Sequence, residues 1–417
     1  MRYVIIGNSA AGIGAVEGIR QVDPQGEIII ITNEPHHTYS RPLISYLLLG
    51  KTTEDKMKYR PDGFYKDNNC TLLTETTVTG VNAEEKHIIL SDGKIISYDK
   101  LLAAAGSTAF VPPFEGLDTV KDKYTFMSLD DAHKLNKVLD GHKRVLIIGA
   151  GLIGLKCAEG ILDRVSHITV LDLAPGILSS ILDEQGAMLV QHHLESKGIE
   201  FVLSSAAKCF EKDTAILESG ERICFDILVL AVGVRPNTSL LKDIAGIDRG
   251  IVINEKCETT ATDIYAAGDC TQSLDISSGQ SRIMALLPNA YMQGECAGMN
   301  MAGGEMTFEK AIPMNAIGFS GLHIITAGNY TGEMYEENRN NQYKRLFYSN
   351  NKLNGYILIG RKTGEDTPVY EKAGIYTSLI RERTPLDTID FELICEKPGL
   401  MAFAKADRQI KLGGEAI

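Results

Sequence analysis

The sequence predicts an α/β chain built around two doubly wound parallel-sheet folds, the second inserted in the first. Two glycine-rich turns and a pair of late buried strands carry that prediction. Residues 2–6 form a short apolar strand that runs into Gly7-Asn8-Ser9-Ala10-Ala11-Gly12 and then a helical stretch over 13–20. The same order returns at 144–148, followed by Gly149-Ala150-Gly151-Leu152-Ile153-Gly154 and a helix through Cys157, Ala158 and Glu159. Two such units in one chain are far less probable by accident than either alone. Buried strands ending in small residues, over 225–231 and 264–266, then supply the exits from the inserted and outer folds.

Each unit reads as strand, glycine turn, helix, strand. In the first, the second strand spans 27–32 and leads to Glu34, 22 residues past Gly12, where a carboxylate can accept hydrogen bonds from a ribose. Gly7 permits the tight turn and Gly12 the close helix-to-strand packing beneath a pyrophosphate. Ser9 stands where the middle glycine of the pattern would be. In the second unit all three glycines are present, and the strand over 167–171 ends at Asp172, 18 residues past Gly154. A buried strand within 98–106, ending at Ala105-Gly106 and followed by Pro112-Pro113, marks the crossover between the folds. Val232-Gly233-Val234 closes the inserted fold, and Gly268-Asp269 presents a carboxylate before a helix containing Asn289 and Gln293.

The 417 residues exceed one ordinary domain and suit two or three. A formal charge of −12 excludes a phosphate-tracking nucleic-acid surface, which needs clustered Lys and Arg. No apolar run approaches the ~18 residues of a membrane span, and the first strand begins too early to leave room for a signal peptide. A cytoplasmic chain is expected. The eight cysteines, at 70, 157, 209, 224, 257, 270, 296 and 395, show no paired spacing, so neither a disulfide framework nor a metal site is expected.

These segments, in this order, resemble the FAD-dependent pyridine nucleotide-disulfide oxidoreductase family with the glutathione-reductase-like fold, over about residues 1–330. The resemblance implies Rossmann-like FAD-binding (1–112 and 243–312) and NAD-binding (113–242) domains and a C-terminal α+β interface domain (313–417) with a strand at 353–360. It implies FAD contacts from Gly7, Ser9, Ala10, Ala11, Gly12, Glu34, Arg41, Pro42, Val78, Ala105, Gly106, Asp269 and Gln293. NAD would meet Gly149, Gly151, Leu152, Ile153, Gly154, Glu159, Asp172 and Gly233. Glu159 matches the helix glutamate that orients the nicotinamide in relatives. Some relatives pair that glutamate with a lysine where this chain has Tyr46, and Arg41 is the expected replacement cation, which makes Glu159 and Arg41 the candidate catalytic residues.

Disulfide reductases of the family carry a cysteine pair in the loop that reads here Tyr39-Ser40-Arg41-Pro42-Leu43-Ile44-Ser45-Tyr46, and the single-cysteine branches carry one at about Pro42. This chain has no cysteine before Cys70. A thiolate relay needs a thiol. The resemblance therefore narrows to the flavin-only branch: reductases of rubredoxin and ferredoxins, and the flavin portion of nitrite reductases. It implies NADH as donor and a small iron or iron–sulfur protein as partner, docked on Lys56, Lys58 and Arg60 with Arg282, Arg361 and Lys362 nearby; a homodimer is compatible with it. The alternatives are an NADH oxidase using oxygen and an NADH-responsive interaction protein.

Overall fold

The computed structural model describes residues 1–339, 342–361 and 369–396. The chain divides into two compact units. One comprises Met1–Ser179, Leu194–Ser273 and Ser281–Glu309; the other comprises Ser180–His193, Leu274–Gln280 and Lys310 onward.

In the first unit the outer fold opens with β1 (Arg2–Ile6), α1 (Ala10–Val22), β2 (Glu27–Ile31), α2 (Ile44–Leu48), β3 (Cys70–Leu73) and β4 (Lys100–Ala103). The inserted fold follows as β5 (Lys123–Tyr124), α3 (Leu129–Asn136), β6 (Arg144–Ile148), α4 (Leu152–Ile161), β7 (His167–Leu171), β8 (Ile199–Val202) and β9 (Ile227–Leu230). The chain then returns to the outer fold with β10 (Ile264–Ala266) and α5 (Leu287–Met301). Both sheets are parallel and five-stranded, in the orders β10-β4-β1-β2-β3 and β8-β7-β6-β9-β5.

The expected strands are apolar throughout because both sheet faces are covered, and β1, β2, β6 and β7 are each buried at four of five positions. The sheets place their glycine turns at the carboxyl ends of β1 and β6, where open α/β sheets bind ligands.

The helices run further than the sequence pattern suggests, α1 beginning at Ala10 rather than Ile13. A second use of glycine was not anticipated. Where α1 crosses α5, an added Cβ on Gly294 would lie 1.9 Å from the Ala11 carbonyl oxygen, and one on Gly18 2.2 Å from that of Glu295. Glycine there brings two helix backbones into contact rather than making a turn. That crossing clamps the Gly-Asp strand end onto the first glycine loop.

The second unit holds an antiparallel sheet of β11 (Met314–Phe319), β12 (Leu322–Gly328), β13 (Glu333–Arg339), β14 (Gln342–Ser349) and β15 (Lys352–Gly360), in the order β11-β12-β15-β14-β13. The strand expected at 353–360 is thus central. Helix α6 (Ala373–Arg381) covers one face, packing Tyr376, Leu379 and Ile380 with Leu346, Tyr356 and Leu358. No helix among the described residues is long and apolar enough to cross a membrane.

Candidate functional site

The first glycine loop ends at Ser9, the N-cap of α1, whose backbone is extended and whose side chain makes no capping hydrogen bond. Without a side-chain cap, the N–H groups of Ala10, Ala11 and Gly12 are presented at the positive end of a 13-residue helix, an arrangement suited to a phosphate. Gly7 sits at φ +122°, and a Cβ on it would strike the Ala104 carbonyl oxygen at 2.1 Å. Only glycine fits that position.

Beside this turn is a cleft lined by Asn8, Ser9, Thr32, Glu34, His36, His37, Tyr39 and Arg41. Glu34 Oε2 accepts the Tyr39 hydroxyl at 2.8 Å, and its other oxygen is paired with Arg41. Arg41 also donates to the Met127 carbonyl at 3.3 Å. His37 Nε2 is buried in the cleft with no hydrogen-bond partner in the protein. An unsatisfied buried nitrogen is costly and fits a site that a polar ligand completes. The residues present therefore suit the adenosine and pyrophosphate portion of FAD.

Farther along the sheet edge, Asp269 follows Gly268 and accepts the Ser107 hydroxyl at 3.2 Å. Burial pushes its carboxyl above the usual carboxylate range, opposed by Ser107 and Arg41. Gly106 stands at φ +66° with no atom near its missing Cβ. Gln293 is spent on the turn itself: its side-chain oxygen accepts the Gly268 N–H at 2.8 Å and its nitrogen donates to Ser273 at 3.1 Å. It positions Asp269. Val78 is buried in the same apolar cluster as Val4 and Leu101, so its side chain is spent on the core.

In the second loop the three glycines have separable reasons. A Cβ on Gly149 (φ +113°) would meet the Ala231 carbonyl oxygen at 2.3 Å, and one on Gly154 would meet that of Gly149 at 1.9 Å. A Cβ on Gly151 would meet nothing within 4 Å, and its φ is an ordinary −79°. The fold does not require glycine at Gly151, and the open space there suits close approach by a ligand. Gly151 caps α4 without a side chain, and Leu152 and Ile153 form its first turn. Gly233, at φ +109°, likewise has open space around its missing Cβ.

Asp172 closes this site. Its carboxylate accepts the N–H groups of Ala150 at 2.6 Å and Ala174 at 2.7 Å, fixing the β7 end against the glycine loop. A carboxylate has about four lone-pair sites, so two remain for ribose hydroxyls. Residues 173–176 contain no cation to greet a 2′-phosphate. NADH should therefore exceed NADPH in kcat/KM by about tenfold or more, or ~1.4 kcal/mol; equal values in parallel steady-state assays would contradict the role of Asp172.

Glu159 is 4% exposed on α4. Its pairing corrects the expectation for Arg41, which is held by Glu34 and Tyr39 instead. Lys156, one turn earlier on the same helix, forms the ion pair with Glu159, and its ammonium lies 4.5 Å from the centre of the Tyr46 ring. The spacing Lys-x-x-Glu puts both on one helix face, a signal that was present in the sequence. Tyr46 thus covers the cation by a cation–π contact.

Pro42 is exposed at the head of a 3₁₀ turn spanning Arg41–Leu43. Cys157, next to Lys156, is fully buried, and burial pushes its thiol well above the ordinary range. It is not a thiolate relay.

Two of the cations expected on a basic docking face are held by acids. Lys58 is bound by Asp55 at 2.6 Å and Asp62 at 2.7 Å, and Arg60 by Glu17 at 2.7 Å. Lys56 is exposed, Arg282 is half-buried, and Arg361 contacts His193. Lys362 lies outside the described residues. Local acids thus offset the charge of Lys58 and Arg60.

Residues 1–294 match the pyridine nucleotide-disulphide oxidoreductase family. The chain is 29% identical over 400 residues to NADH-dependent phenylglyoxylate dehydrogenase subunit epsilon of Aromatoleum evansii, covering 92% of each. It is 35% identical over 322 residues to NADH oxidase of Methanocaldococcus jannaschii, covering 74% of this chain and 71% of the relative. The crystal structure of NADH:rubredoxin oxidoreductase from Clostridium acetobutylicum superimposes with a TM-score of 0.74 at 24% identity, covering 93% of this chain and 96% of that one. Two glycine loops with open ligand cradles, in a chain that matches one family across both, place this protein in the pyridine nucleotide-disulphide oxidoreductase family, as an enzyme with FAD and NAD as cofactors.

Proposed function

We propose that the chain oxidises NADH through FAD and passes the electrons to a small iron or iron–sulfur protein of the rubredoxin or ferredoxin type. The observation that carries this reading is the loop at 39–46, which presents Arg41-Pro42 and no thiol. With no sulfur relay, electrons must leave from the flavin itself. FAD, when bound, takes up the two electrons of a hydride and can release them one at a time, as one-electron iron acceptors require.

The protein's part is binding, orientation and electrostatics. The α1 N-terminus and the Glu34–Arg41 cleft would hold the adenosine end of FAD, and Asp269 would also contact the cofactor. The α4 N-terminus and Asp172 would hold NADH, and the Lys156–Glu159 pair would stand beside the nicotinamide. Similarity to a rubredoxin oxidoreductase supports the acceptor class. Similarity to an NADH oxidase favours oxygen as the second reading.

Anaerobic stopped-flow mixing of the NADH-reduced protein with a rubredoxin, a ferredoxin or, separately, oxygen discriminates between them. Reoxidation by one of the iron proteins faster than by oxygen is expected. Faster reoxidation by oxygen than by either protein would overturn the reading in favour of the oxidase. Because Lys58 and Arg60 are already neutralised, that step should respond only weakly to salt.

A further inference from the structure

We propose that His36, Asp130 and His133 form a binding site for one divalent transition ion of the zinc, nickel or cobalt class, and that the ion ties the loop after β2 to helix α3. One donor atom from each of the three lies within 4.8 Å of the others. His36 Nε2 is 2.8 Å from Asp130 Oδ1, and the two imidazoles meet edge to face with centroids 6.0 Å apart. An ion with bonds of about 2.0–2.2 Å holds tetrahedral donors roughly 3.4 Å apart, so small side-chain rotations bring these three onto it.

The backbone under the donors is fixed. Ser128 and Asp131 form a capping box that starts α3, and Asp130 and His133 lie three residues apart on one helix face. The Leu129 N–H donates to the Tyr39 hydroxyl at 3.0 Å, holding the loop against the helix start. Glu54 Oε1 is 2.9 Å from His133 Nε2, the carboxylate–imidazole contact that orients metal-bound histidines.

The donor chemistry selects the ion. Two imidazoles and a carboxylate suit zinc, nickel or cobalt, whereas calcium and magnesium call for oxygen donors throughout. The three side chains are 19%, 42% and 34% exposed, which leaves a path from solvent and room for a water as fourth ligand. His36 belongs to the same cleft as Glu34 and Arg41. Resting on the assignment of that cleft to FAD, a bound ion would pin the loop and slow FAD release.

The test is a calorimetric titration of the chelator-treated, FAD-containing protein with zinc chloride at neutral pH. One zinc per chain is expected, with affinity falling about tenfold or more in His133→Gln and binding lost in the His36→Gln/His133→Gln double variant. Visible absorbance and circular dichroism verify that both variants are folded; Asp130→Asn independently removes the negative charge of the third donor. No zinc uptake by the wild type, or uptake unchanged in the double variant and in Asp130→Asn, would overturn the site. The second readout is FAD release after dilution, expected to slow several-fold with zinc in the wild type and not in His133→Gln. Unchanged release despite variant-sensitive zinc binding would overturn the tie to the loop. Protein that purifies without flavin would instead sink the FAD assignment, with the zinc titration still deciding the metal site.

Discussion

Gly151→Val is expected to leave the protein folded and yellow but to lower kcat/KM for NADH by about 100-fold or more, equal to ~2.7 kcal/mol of lost binding. The valine Cβ would meet nothing within 4 Å beyond its chain neighbours, at an unstrained φ. It would project instead into the space a pyrophosphate needs. Gly154→Val provides the contrast, because its Cβ would lie 1.9 Å from a backbone oxygen and the inserted fold should be lost outright. Flavin bleaching by NADH, with thermal unfolding as the control, separates the two cases. Unchanged kcat/KM in Gly151→Val would contradict the placement of the nicotinamide dinucleotide.

The second large effect is on stability. Lys156→Met would remove the lysine of a largely buried ion pair, and removing one member of such a pair typically costs ~3–5 kcal/mol. Lys156→Met/Glu159→Gln should recover most of that loss, since a neutral amide needs no cation. Denaturant unfolding of the two variants measures it. A single variant within ~1 kcal/mol of the wild type would show that the pair carries little of the folding energy. The double variant should still bind NADH but reduce flavin more slowly, if the pair orients the nicotinamide.

What was legible in the sequence was local. Strands covered on both faces read as continuous apolar runs, and Gly7 and Gly149 announce turns whose backbone only glycine adopts. Seven of the ten strands of the two parallel sheets could therefore be placed from periodicity and punctuation, and β3, β5 and β8 were not read. The glycines at the α1–α5 crossing were not legible as such, because Gly18 and Glu295 meet only after the chain has closed the sheet between them.

The same distinction explains the site corrections. Arg41 was expected beside Glu159 because Tyr46 stands where some relatives place the lysine that pairs with the helix glutamate, and Glu159 does have a cation. Its partner was nearer, three residues back on α4. Lys58 could have been read as neutralised from Asp55 and Asp62, which flank it locally, but the partner of Arg60 is Glu17, in a helix far up the chain. The convergence of His36 and His133 likewise depends on how the loop after β2 meets α3, and no spacing rule for metal ligands reports it.

The central claim is that flavin is the sole redox centre. Anaerobic titration with NADH, followed by visible absorbance, tests it most directly. Two electrons per flavin, with bleaching and no thiolate-to-flavin charge-transfer band, are expected, because the loop at 39–46 holds no cysteine and Cys157 is buried with a raised thiol pKa. Uptake of four electrons per flavin would contradict it.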